Sequence, residues 1–165
     1  MKHQAIGRFV SVIFLAGMMP AIAGAEGKDP GPYDLIVARA VRLLPKRPMQ
    51  VAVIDADEAR PEVRDTLLRL DAFTVPGSKI VYLVKQSAVL QGAAKGSQLY
   101  EHMLASIIWH EMAHADGAGE RAAQRAEEQL WTRFVRDGIF DQVTALRYLQ
   151  ALTKRPHDRP PLTTH

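Results

Sequence analysis

The sequence predicts an α+β domain, a small sheet packed on helices. Two short β-branched runs, Met49–Ile54 and Lys79–Val84, are each bounded by proline, glycine or aspartate, and read as strands. Apolar residues recur at helical spacing around them, and three helical segments follow the second strand in succession. Composition agrees: 165 residues with 47% apolar and 24% charged side chains can bury one core, and the charge is too low for a disordered or strongly nucleic-acid-binding chain.

The first 25 residues form a separate unit. Lys2 and Arg8 are its charges, no acid occurs before Glu26, and an apolar run from Phe9 to Met19 leads through Pro20 to Ala23-Gly24-Ala25. A basic start, a short apolar core and small residues at the end predict a secretory signal peptide, cleaved after Ala25, and a periplasmic or secreted protein. The apolar run is short for a membrane span, and an uncleaved anchor is the alternative. Removing these residues takes two of the 21 basic groups and none of the 18 acidic ones, leaving a nearly neutral 140-residue chain. The sequence has no cysteine, so neither disulfides nor thiolate ligands are available.

Residues 26–153 are expected to form the domain, with 154–165, rich in proline, as a flexible tail. Glu26 to Pro32 is a leader of breakers and charges. Tyr33 to Leu44 has helical spacing and stops at Pro45. After the first strand, Pro61 and Glu62 open a helix with Val63, Leu67, Leu68 and Leu70 on its apolar face. The Val75-Pro76-Gly77-Ser78 turn leads to the second strand, and Lys85 to Gly96, rich in Gly, Ala and Gln, is expected to be irregular. A long helix runs from Gln98 to about Ala115, broken by Asp116-Gly117-Ala118-Gly119. Glu120 to Arg136 and Asp141 to Leu152 complete the pattern. Trp109, Trp131 and Phe134 are expected as core clamps, and Arg121, Arg125, Arg133 and Arg136 as a solvated face with pairs to Glu127 and Glu128.

The chemistry is concentrated in His110-Glu111-Met112-Ala113-His114. Four residues turn a helix by about 400°, so both imidazoles lie on one face, about 6 Å apart along the axis. Both can then reach one tetrahedral zinc, while Glu111, turned a further 100° or so, stands beside the metal as a general base toward water. A catalytic zinc needs a third protein ligand and one open position. Glu120 and Glu127 compete for that role, sharing a face seven residues apart. The short Gly-rich break favours Glu120, because it folds the next helix back with its first turn level with the histidines. Glu127 is then a paired acid facing a His or Arg. His102 is about 80° off the His110 face and is left out of the site.

With these residues the chain resembles the zincin metallopeptidases of gluzincin type. Several such families follow the HExxH helix with Glu-x-x-[Ala/Ser]-[Asp/Asn], which Glu120-Arg121-Ala122-Ala123-Gln124 matches except for Gln124. The resemblance implies a minimal zincin-like domain with His110, His114 and Glu120 on zinc, Glu111 catalytic, and Gln124 orienting a ligand histidine. The metzincin pattern also matches through Gly117, again with Glu120 as third ligand, but its downstream methionine is missing after Met112. The resemblance further implies a strand that pairs with an extended peptide, for which Ile80–Val84 is the candidate, a buried central strand being the alternative. Tyr148 and His157 are candidates for steadying the oxyanion.

The expected function is therefore hydrolysis of peptide bonds in a peptide or protein substrate by zinc-activated water. The alternative is an exported zinc-binding structural or regulatory protein without catalysis. A fourth protein ligand, Glu127 or His102, would mark that alternative.

Overall fold

A computed structural model describes residues 31–48 and 50–153; the expected signal peptide, Met49 and the tail with His157 lie outside the described residues. The elements are α1 (Asp34–Arg42), β1 (Gln50–Ile54), α2 (Pro61–Leu67), β2 (Ala72–Thr74), β3 (Ile80–Val84), α3 (Ala88–Ala94), α4 (Gln98–Ala115), α5 (Glu120–Arg136) and α6 (Gln142–Thr153). The fold is α+β, as the alternation of strand-like and helical patterns predicts. No helix among the described residues is long and apolar enough to cross a membrane.

Of the two readings of Ile80–Val84, the central strand is the one observed. β3 pairs in parallel with β1, from Gln50↔Ile80 to Ile54↔Val84, and antiparallel with β2, from Ala72↔Leu83 to Thr74↔Val81. Its unbroken apolar run follows from burial on both faces. Val81 and Leu83 face the main helical core, while Tyr82 and Val84 join Ala56, Leu67 and Phe73 beneath α2. β2 has only three residues, too few for periodicity to register. It is held by a paired Phe73 and Tyr82, whose rings stack at 5.1 Å. In α2, Leu67 is buried but Leu68 is exposed, which corrects its place on the apolar face.

The segment expected to be irregular contains α3. Ser87 caps it, its hydroxyl accepting from the backbone N–H of Val89 and Leu90, and Val89, Leu90 and Ala93 are buried. Burial compensates for a seven-residue length that would not be helical alone. Gly92 lets α3 lie directly on the Tyr100 ring of α4, leaving no room for a Cβ.

Helix α4 is the centre of the molecule. Residues 102–108 are all buried, and α1, α3, α5, β2 and β3 pack around it. Such all-round burial is the mark of an internal helix. Helix α5 buries a single stripe, Ala123, Glu127, Leu130, Trp131 and Phe134, and exposes Arg121, Arg125, Arg133 and Arg136. Arg133 and Arg136 meet Asp137, at 3.6 and 3.4 Å, in place of the expected Glu127 and Glu128. Trp131 stacks on Phe140 at 5.1 Å and lies against Tyr148 at 3.9 Å, which docks α6. Trp109 is half-buried, on the flank of α4.

Two predictions follow from this packing. Gly92→Ala is expected to lose about 1 to 3 kcal/mol in chemical denaturation, the usual cost of forcing extra volume into a packed contact; unchanged stability would show that Tyr100 moves freely. Asp55 carries a pH signature. The Lys85 ammonium and the Gln86 amide, each 2.5 Å away, together with the Asp57 backbone N–H, lower its pKa to about 2 from 3.8. A carboxyl depressed on folding stabilises the native state above its unfolded pKa, and loses that effect as pH falls through the folded value. Asp55→Asn is thus expected to be the less stable protein near neutrality, with the gap to wild type closing between about pH 4 and pH 2 in urea titrations. A gap independent of pH over that window would contradict it.

Candidate metal centre

The site is built where α4 ends and α5 begins. Gly117 takes φ +92°, and the backbone bonds Ala118 N–H to Ala113 O and Gly117 N–H to His114 O, both 2.9 Å, close α4 in a Schellman turn. That turn aims the Ala118 carbonyl at His114, whose Nδ1 lies 2.9 Å from it. Lys79 donates to the Ala115 carbonyl at 2.7 Å and to Asp116 at 3.0 Å, so the last turn of α4 is satisfied and charge-balanced. The chain then reverses, and Glu120 is the first residue of α5.

His110, His114 and Glu120 converge, each offering one ligand atom, all within 4.8 Å of one another. The two Nε2 atoms are 3.1 Å apart; Glu120 Oε2 lies 3.1 Å from His114 Nε2, and Oε1 lies 3.7 Å from His110 Nε2. His110 is buried, His114 half-buried and Glu120 exposed, so the cluster opens to solvent on the Glu120 side.

An acceptor stands behind each imidazole. The Ala118 carbonyl can only accept, so His114 carries its proton on Nδ1. Glu127 Oε2 stands 3.0 Å from His110 Nδ1 as an ion-pair contact, outside hydrogen-bond geometry, and as a carboxylate it can likewise only accept. With a proton on each Nδ1, the inner Nε2 atoms and the Glu120 carboxylate would be three acceptors that converge. Such a cluster calls for a positive charge. Burial alone pushes the His110 imidazole down, but Glu127, with Glu111 and Glu120 farther out, outweighs it and raises its pKa above 6.5. The three residues could hold a metal ion, and their donor chemistry fits one.

Around these three, Glu127 is the paired acid facing a histidine rather than a ligand. It is 1% exposed, and Tyr148 donates to its Oε1 at 2.9 Å. Two expectations are corrected. Gln124 orients no histidine: it sits one turn after Glu120 and donates to Glu120 Oε1 at 3.2 Å. Tyr148 is buried on Glu127, so its hydroxyl is engaged away from any oxyanion. His102 does not join the cluster; its Nδ1 is 2.8 Å from the Gln98 carbonyl and its ring stands edge-on to Phe134 and Phe140. Glu111 is half-buried, and the Thr74 hydroxyl at the end of β2 donates to its Oε2 at 3.4 Å.

Sequence reading missed the Ala118 carbonyl, the Tyr148–Glu127 bond and Thr74. A glycine three residues after a helix-terminal histidine is a signal for the first; no local signal marks the other two. No protein-family model matches the chain, and neither does any curated protein or solved structure.

Metal-stripped protein dialysed against a divalent transition metal is expected to take up about one ion per chain. His114→Ala should bind at least tenfold more weakly by calorimetry, since only two ligands remain. Undiminished binding in that variant would place the ion elsewhere.

Proposed function

We propose that the protein is a zinc-dependent metallopeptidase of minimal zincin type, with His110, His114 and Glu120 as metal ligands and Glu111 as general base. The observation that carries the proposal is the convergence of two Nε2 atoms and a carboxylate, with Ala118 behind one imidazole and Glu127 behind the other, beside a second, separate carboxylate. Zinc is the ion best suited: with bonds of about 2.0 to 2.1 Å, tetrahedral ligand atoms stand roughly 3.3 Å apart. The two Nε2 atoms, 3.1 Å apart, are close to that spacing, and one Glu120 oxygen lies within 4.8 Å of both. Imidazole and carboxylate donors suit zinc, and the absence of cysteine argues against softer thiolate chemistry.

When bound there, zinc supplies a Lewis acid that polarises a carbonyl and brings the pKa of water to about 7. Glu111 accepts a proton from the attacking water and returns it to the departing amine. Thr74 restrains the Glu111 carboxylate from the β2 side. Since β3 is central, the edge suited to an extended peptide is that of β2, whose last residue is Thr74. The two residues that would close the coordination sphere are otherwise engaged, Glu127 with His110 and Tyr148, His102 with Gln98, which favours a catalytic site over a structural one. The basic, apolar and small-residue segments of the N-terminus support export to the periplasm or medium.

Zinc-loaded protein incubated with a mixed peptide library and followed by mass spectrometry tests the reading. Glu111→Gln is expected to lower hydrolysis by about 10² to 10⁴-fold with zinc content unchanged. Full activity in the Gln variant rejects Glu111 as the base. A wild type that holds zinc and cleaves nothing is a non-catalytic zinc protein.

A further inference from the structure

The geometry points to Tyr148 as a positioning residue of the metal site, acting through Glu127 on His110, so that docking of α6 and binding of metal are coupled. The inference rests on the metal-site reading above and adds to it a third helix. Glu127 lies on α5, its side chain 1% exposed, with Oε2 at 3.0 Å from His110 Nδ1. A carboxylate held at one oxygen can still swing about its terminal bond. The Tyr148 hydroxyl, donating to the other oxygen at 2.9 Å, restrains that swing and so biases the direction in which the carboxylate meets the imidazole. Tyr148 is itself buried and fixed by its ring, which lies on Trp131 at 3.9 Å, one turn beyond Glu127 on α5. Trp131 in turn stacks on Phe140 just before α6. The tyrosine thus has two separable parts, a ring that docks α6 and a hydroxyl that orients Glu127.

Outer partners of metal-bound histidines typically contribute 10 to 100-fold to affinity. Tyr148 is one step farther out, and about tenfold is expected of it. Because the coupling is thermodynamic, it runs both ways: metal bound at α4 and α5 strengthens the docking of α6.

The test is zinc affinity by chelator competition in wild type, Tyr148→Phe, Glu127→Gln and the double variant, with cobalt(II) absorption as a report on ligand geometry. Phenylalanine keeps the ring against Trp131 but takes a hydrogen bond from buried Glu127, so the metal-free variant should stay folded with a lowered melting temperature, and affinities are compared well below both transitions. Expected are about tenfold weaker zinc binding and an altered cobalt spectrum in Tyr148→Phe, with no further loss when Tyr148→Phe is added to Glu127→Gln. Wild-type affinity in Tyr148→Phe overturns the inference and leaves the metal site standing. Equal losses in both backgrounds also overturn it, since the tyrosine would then act through the fold and not through Glu127. A wild type that takes up no zinc removes the metal site and the inference together. Amide hydrogen exchange of wild type needs no variant: zinc should slow exchange across 142–153, and unchanged exchange there rejects the coupling.

Discussion

Three hydrogen-bond acceptors facing one another at the end of a buried helix form the constraint on which the arrangement depends. His110, His114 and Glu120 are brought together by the Schellman turn; the Ala118 carbonyl meets His114 Nδ1, Glu127 faces His110 Nδ1, and Gln124 donates to Glu120 Oε1. The helix ends reinforce them. The last turn of α4 presents the negative end of its dipole, which favours a cation, and the first turn of α5 presents a positive end, which favours the Glu120 carboxylate. A turn of other length would separate these ends and carry Glu120 out of reach of the histidines.

The remaining architecture keeps α4 rigid. An internal helix contacting α1, α3, α5, β2 and β3 has no freedom to rotate, and a rotation of even one residue would turn His110 by about 100° away from Glu120. The sheet is the other wall. β3, buried on both faces, anchors it, and β2 beside it carries Thr74 to Glu111. Scaffold and chemistry are therefore divided: strands and α3 fix α4 in place, while α5 and α6 complete what its last turn begins.

That division explains how much was legible in the sequence. The histidine pair, Glu111 and the long helix bearing them were readable because helical geometry alone sets their relation, whatever surrounds them. Glu120 was readable because only a short glycine-containing break separates it from His114. Glu127 was readable as a paired acid but its partner was not, since that depends on how α5 rolls on α4. Tyr148 was legible only as a downstream candidate for the oxyanion, because nothing local records that α6 folds it onto Glu127. Helix α3 and strand β2 were missed for a related reason: each is too short for its own pattern, and each is held by partners distant in sequence, Tyr100 for α3 and Tyr82 for β2.

Glu127 shows what the buried polar groups are for. Stability alone does not ask for a carboxylate in the apolar stripe of α5, where Ala123, Leu130, Trp131 and Phe134 are its neighbours on the helix. Burying a charge is costly, and an apolar pair of similar volume commonly does as well or better. A leucine at 127 facing a phenylalanine at 148 would fill the space with no polar atom to satisfy. The chain instead carries an acid and a hydroxyl there, each matched to the other, and the acid to the hidden nitrogen of His110. The groups that lower no folding cost are the ones that set the proton, and hence the lone pair, of the imidazole. Their placement is what the proposed metal site asks for and what the core alone does not.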